Sequence, residues 1–239
     1  MTVEKLLLIR HGESTANVAA TTAELTGEET IAVSSRDADV PLSPLGERQA
    51  VSLAPRLEAD FGAAAGPPLV WASPYLRAIR TAQLALGDIP FGIDERLRDR
   101  ELGIIDALTA RGVEARLPDE AARRRWLGKF YYRPPGGEAW TDVALRLRSF
   151  MRDVESTPDR SLVLFTHDAV VSLFLYVLLG WTEQQLDEFL LTRVVGNASV
   201  TTLVRDIAGW RVETFSDDTH LAQAGLPATA HPGAARVTE

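Results

Sequence analysis

Three short apolar runs punctuate this chain, separated by longer stretches whose apolar residues recur at helical spacing. Lys5 to Ile9, Leu69 to Ala72 and Ser161 to Thr166 are apolar without alternation, the pattern of central strands covered on both faces. Ser43-Pro44 reads as a helix start, and Ala50, Leu53, Ala54, Leu57 and Phe61 continue it at intervals of three and four. Gly62 to Pro68 breaks that pattern. Ser73-Pro74 reads as a second helix start, with Leu76, Ile79, Leu84 and Leu86 on the apolar side and Gly87 as the stop. Pro118 to Arg148 reads as mainly helical, broken at Pro134-Pro135-Gly136-Gly137. A helix over Ala169 to Leu179 follows the third strand and stops at Gly180, and Thr182 with Gln185 forms the capping-box pattern of another. Ser199 to Arg205 and Trp210 to Phe215 alternate around a glycine-containing turn and predict a hairpin. Val18 to Val40 shows little periodicity and fits a long loop or a helical insertion equally well.

Strands alternating with helices predict an α/β sandwich with a mostly parallel central sheet. The reading is one catalytic domain over residues 1–218, with 219–239, rich in Ala, Pro, Gly and Thr, as a poorly ordered tail. In such sheets ligands bind beyond the carboxyl ends of the strands.

Composition narrows the possibilities. The chain has 239 residues and a formal charge of −8, so nucleic acid is not an expected partner, and an anion site needs a local cluster of Arg. The absence of cysteine excludes disulfides, thiol catalysis and thiolate metal sites. Leu162 to Leu179 is long enough to raise a membrane segment, but Thr166, His167 and Asp168 interrupt it. The N-terminal apolar run is too short for a signal peptide. No membrane association and a cytoplasmic location are the expectation; oligomeric state leaves no trace in the sequence.

The polar residues at the predicted strand ends carry the chemistry. Arg10 and His11 close the first strand, His167 closes the third, and Arg77 lies in the first turn of the helix after the second. Two arginines and two histidines on one sheet edge suit a phosphate dianion, and neutral imidazole is a competent phosphoryl acceptor near neutral pH. A carboxyl group is then needed to protonate the leaving oxygen, and Glu13 and Glu101 are both candidates. The histidines lack ligand-like spacing, so no metal or other cofactor is expected.

Five segments together resemble the histidine phosphatase superfamily, which includes phosphoglycerate mutase-like proteins. They are Leu8-Ile9-Arg10-His11-Gly12-Glu13-Ser14-Thr15-Ala16-Asn17, Asp39-Val40-Pro41-Leu42-Ser43, Ser73 to Ala82, Leu97 to Gly103 and Phe165-Thr166-His167. The resemblance implies that His11 is phosphorylated, that Arg10, Arg77 and His167 clamp the phosphate with Asn17 as a further contact, and that Glu101 is the proton donor. It implies a three-layer α/β/α sandwich and a phosphatase acting on small phosphorylated substrates, with mutase-type return of the phosphoryl group or simple phospho-ligand binding as alternatives. Phe130 to Glu138 and Thr182 to Asn197 resemble one mutase-like or phosphatase branch. Asp168 departs from the pattern, since the family usually has Gly after the second His; a carboxylate there repels phosphate unless it points away or pairs with Arg. Asp168, Arg124 and Arg133 are the remaining candidates for substrate contact. Arg123-Arg124-Arg125 otherwise reads as a solvated helix face, and Arg80 competes with Arg77 for the clamp.

Overall fold

The computed structural model of the chain describes residues 3–61, 68–155, 157 and 161–230. Six strands form one mixed sheet in the order β3-β2-β4-β1-β5-β6: β1 Lys5–Arg10, β2 Leu69–Ala72, β3 Gly92–Ile93, β4 Ser161–Thr166, β5 Val200–Asp206 and β6 Gly209–Asp217. The first four in chain order run parallel, and β5 and β6 extend the sheet as the antiparallel hairpin that the alternation predicts. The two-residue β3 was not anticipated.

The two faces of the central strands account for the three layers. Leu7 and Ile9 of β1 with Val163 and Phe165 of β4 pack against Leu53 and Leu57 of α2 (Pro44–Phe61) and Ala82 and Ala85 of α3 (Leu76–Leu86). Leu6 and Leu8 with Leu162 and Leu164 face the other way. They meet Val143, Leu147 and Phe150 of α6 (Trp140–Val154) and Val170, Val171 and Phe174 of α7 (Asp168–Leu179). Successive strand side chains point to opposite faces, so a run without alternation is what a doubly covered strand requires.

The aperiodic Val18 to Val40 stretch resolves into both of its readings. Helix α1 (Thr15–Thr26) starts on a capping box in which Ser14 and Asn17 exchange hydrogen bonds, and stops at Gly27 in the left-handed region. Beyond it the chain is an extended strap held to the 107–109 loop by Ile31 N–H to Ala107 O and Thr109 N–H to Glu29 O. A single 3₁₀ turn at Asp37–Asp39 ends it. Helix α5 (Pro118–Tyr131) is broken at Gly128 as well as by the following prolines, and α4 (Ala110–Arg116) precedes it. Helix α8 (Glu183–Thr192) begins on the predicted Thr182/Gln185 box.

Two expectations need correction. Ser73-Pro74 does not start α3, which begins at Leu76; Ser73 Oγ instead accepts from the Tyr75 N–H and meets His167. The segment after residue 218 is not loose as far as it is described. A short helix, α9 (Thr219–Gln223), buries His220 and Leu221 against α2, and Gln49 Nε2 donates to Pro227 O and Thr229 Oγ1. Most of the 62–68 break and residues 231–239 lie outside the described residues.

Candidate active site

The carboxyl edge of the parallel strands carries the site. Arg10 and Thr166 are register partners at the ends of β1 and β4, so the residues that follow, His11 and His167, leave the sheet side by side. His11 is fixed through its main chain: its N–H donates to Thr166 O at 2.9 Å, and its carbonyl accepts from Ala198 N at 3.1 Å. Gly12 then passes so close to the start of α2 that a Cβ on it would sit 2.4 Å from Gly46 O, which explains the glycine after the histidine. The Gly12 N–H donates to Thr81 Oγ1, whose hydroxyl donates to Arg77 O, tying this loop to α3.

His11 is buried, and its Nδ1–H donates to the Gly12 carbonyl at 2.7 Å. That contact selects the tautomer in which Nε2 carries a free lone pair. Arg77 Nε lies 3.2 Å from that nitrogen and donates to it. Burial holds the His11 pKa well below the ordinary imidazole value, reinforced by Arg77, His167 and Arg10. The ring is therefore neutral, with the Nε2 lone pair turned toward Arg77 and the cationic cluster.

Arg77 is buried and fully engaged. Beyond His11, its Nη1 donates to Asp37 O at 2.6 Å and Asp37 Oδ1 at 2.9 Å, and its Nη2 to Asp99 Oδ2 at 3.1 Å. Arg80, the competing clamp candidate, pairs with Glu47 at the surface. Asp37 comes from the end of the strap, and its pKa is raised because burial outweighs the Arg77 attraction. Asp99 also stands 3.4 Å from His167 Nδ1, while its other oxygen accepts from the Arg100 N–H.

His167 is fully buried, 2.8 Å from Ser73 Oγ through Nε2, with its ring centroid 5.2 Å from that of His11. Its pKa too is pushed well below normal, by burial first and then Arg77. Arg10 is buried, with Nη1 donating to Val195 O at 2.5 Å. Arg10 Nε and His167 Nδ1 are buried nitrogens without a hydrogen bond among the described residues. Unmet buried polar atoms are costly, and oxyanion oxygens between the two rings and guanidinia would satisfy them.

Glu101 lies on the loop after β3, about half exposed (48%), and its Oε1 accepts from the Tyr75 hydroxyl at 3.0 Å. Burial, then the Glu101 charge, pushes the Tyr75 pKa up, so this hydroxyl stays a donor. The Glu101 loop is held by Glu138, which the sequence did not mark as a site residue. Its carboxylate takes Arg98 Nη2 at 2.7 Å, Arg146 Nε at 3.0 Å and the Glu101 N–H at 3.2 Å. Gly103, with φ of +55°, lies where a Cβ would come 2.2 Å from Pro135 O, so loop and Pro-Pro-Gly-Gly turn meet backbone to backbone. Glu13, the other carboxyl candidate, is used structurally: Ser43 Oγ donates to it at 2.6 Å.

The remaining candidates divide. Asn17 Oδ1 is taken by the Ser14 N–H and by Asn197 Nδ2, so Asn17 and the unforeseen Asn197 first serve the His11 loop; Asn197 Nδ2 also donates to His11 O at 3.3 Å. Arg133 is an exposed residue paired with Asp142, which caps α6, and its fork is spent there rather than on a substrate. Arg124 is half-buried on α5, its charge acting on Arg100 and Lys129. Asp168 opens α7 and its charge acts on Arg10 and Lys129, so it faces cations rather than standing alone beside the phosphate site. Among the described residues no cluster of His, Asp and Glu is arranged to hold a metal ion, and no helix is long and apolar enough to cross a membrane.

Comparison with known proteins agrees in sequence and in fold. The profile of the histidine phosphatase superfamily (branch 1) matches residues 6–218. A glucosyl-3-phosphoglycerate phosphatase of Mycolicibacterium vanbaalenii is 31% identical over 210 residues, 83% of each chain. A 6-phosphofructo-2-kinase/fructose-2,6-bisphosphatase of Caenorhabditis elegans is 29% identical over 70% of this chain and 32% of its own. The solved structure of a mycobacterial glucosyl-3-phosphoglycerate phosphatase with VO3 superposes with a TM-score of 0.70 at 28% identity, covering 90% of this chain and 99% of that one.

Proposed function

The chain belongs to the histidine phosphatase superfamily, and from that premise we propose that it hydrolyses small phosphomonoesters through a phosphohistidine on His11. The observation that carries the proposal is the His11 ring itself. It is buried and neutral, its Nδ1–H is held by Gly12 O, and its Nε2 lone pair meets Arg77 at 3.2 Å. A nitrogen so placed attacks phosphorus without first losing a proton.

The chemistry proceeds in two halves. The phosphate enters between Arg10, Arg77, His11 and His167, whose donors spread the charge of the transferring group. Glu101 gives its proton to the departing alkoxide and, as carboxylate, receives one from the water that attacks phosphohistidine. Tyr75 holds one Glu101 oxygen, leaving the other for the proton. The names of its relatives make phosphorylated hydroxy acids of the glucosyl-3-phosphoglycerate type the first substrates to examine.

The test is phosphate release from a generic phosphomonoester, with chelator present, by wild type, His11→Ala and Glu101→Gln. Wild type is expected to turn over. His11→Ala is expected to be inert and to form no acid-labile phosphoprotein, and Glu101→Gln to lose about a hundredfold or more. Undiminished turnover by His11→Ala would overturn the assignment.

A further inference from the structure

Beside the phosphate site, α5, α6, α7 and the 190–195 segment border a small cleft open to solvent, lined by Lys129, Trp140, Asp168, Ser172, Arg193 and Val195. It shares walls with the phosphate clamp. Asp168 directly follows His167, and Val195 gives its carbonyl to Arg10.

Its polar side chains are underused. Asp168 and Ser172 sit at positions i and i+4 of α7, on one face of the helix. Neither carboxylate nor hydroxyl makes a hydrogen bond or close ion pair with another described residue. Across the pocket the Lys129 ammonium rests over the Trp140 ring at 4.1 Å, again without an ion pair among the described residues. Elsewhere in this acidic protein Arg56, Arg96, Arg98 and Arg146 each pair directly with a carboxylate. A carboxylate, a hydroxyl and an ammonium thus line one cleft without hydrogen-bonding one another, and the Asp168 charge reaches Lys129 only across space.

We propose that this pocket receives the leaving group of the substrate, and that Asp168 is a specificity-determining residue that accepts hydrogen bonds from hydroxyls on a polyol or sugar-like alcohol. The proposal rests on the phosphatase reading and adds the class of leaving group. A carboxylate accepts from vicinal hydroxyls in pairs. Ser172 extends the same face, and Lys129 donates to a hydroxyl oxygen while it offsets the Asp168 charge. The combination explains how a carboxylate is tolerated one residue from a phosphate-binding histidine. Its repulsion is compensated by Lys129 and Arg10, and its acceptor strength is turned toward the alcohol rather than the phosphate.

The test compares kcat/KM for glycerol 3-phosphate and n-propyl phosphate, which share a chain length and differ in hydroxyls. Wild type is expected to prefer glycerol 3-phosphate by about tenfold or more, the scale of a charge-assisted hydrogen bond. Asp168→Asn and Asp168→Gly are expected to lose most of that ratio, and Ser172→Ala a smaller part. A wild-type ratio near one overturns the proposal. So does an Asp168→Gly enzyme that gains equally on both esters, since Asp168 then acts only by repelling phosphate. If neither ester is turned over, the phosphatase reading fails separately. Calorimetric affinities of the two esters for wild type and the variants then decide the pocket, equal affinities refuting it.

Discussion

Asp37→Asn should tighten the binding of phosphate. In the structure the strap delivers a carboxylate and a carbonyl to Arg77 Nη1, at 2.9 and 2.6 Å, where an incoming oxyanion needs donors. With His11 on Nε and Asp99 on Nη2, the Arg77 fork has no free edge, so phosphate must compete with Asp37. The substitution keeps the carbonyl contact and removes the charge. A charge-assisted hydrogen bond contributes about 1.5–3 kcal/mol. The Asp37 side chain is 37% exposed, so solvent screening brings the figure down to about 1 kcal/mol, roughly fivefold in affinity. The assay is competitive inhibition of turnover by inorganic phosphate at fixed ionic strength, with Ki expected to fall about fivefold. Burial raises the Asp37 pKa, so mildly acid buffer should mimic part of the effect in wild type and none of it in the variant. A Ki that rises, with kcat reduced, would refute the reasoning: Asp37 would then be holding Arg77 in its working position.

Other outcomes follow from the same contacts. Asp99→Asn removes the carboxylate shared by Arg77 and His167 and should lower kcat/KM by about tenfold or more; an unchanged value would mean that the clamp stands without it. Glu138→Gln breaks nearly buried pairs with Arg98 and Arg146 and should cost about 3 kcal/mol in urea unfolding, with kcat falling as the Glu101 loop loosens; a loss below about 1 kcal/mol would contradict this. His11 and His167 stay neutral in the fold, while the unfolded chain protonates them below the ordinary pKa of 6.5. Stability is therefore lost as pH falls through that value, by about 1.4 kcal/mol per pH unit for each ring. His11→Gln should flatten that slope by one proton, and equal slopes for variant and wild type would count against a neutral His11.

How much could be read from the residues varied with the physical scale of the signal. The doubly covered strands announced themselves because burial on both faces leaves no polar alternation, and Arg10, His11 and His167 followed from their positions at strand ends. The two-residue β3 is too short for any period. Ser73-Pro74 misled because Ser before Pro is also how a helix begins, whereas here the Ser73 hydroxyl serves the His167 ring. Asp37 was hidden in an aperiodic stretch, since its meaning depends on a contact forty residues away. Asp99 and Glu138 lie within recognisable segments but carry no pattern of their own. The alternation of charge in Arg98-Asp99-Arg100-Glu101 was the available hint that the segment was a network.

The packing of the segment beyond residue 218 supports the loop that carries His11. The superfamily match ends at residue 218, yet Thr229 O accepts from the Asn197 N–H and Thr229 Oγ1 takes Gln49, while Asn197 in turn grips His11 O and Asn17. A stretch beyond the matched region thus lies two hydrogen bonds from His11. Changes there would reach the His11 loop through Asn197 while leaving Arg10, His11, Arg77 and His167 unaltered, and an expression clone cut at the edge of the match would discard these contacts.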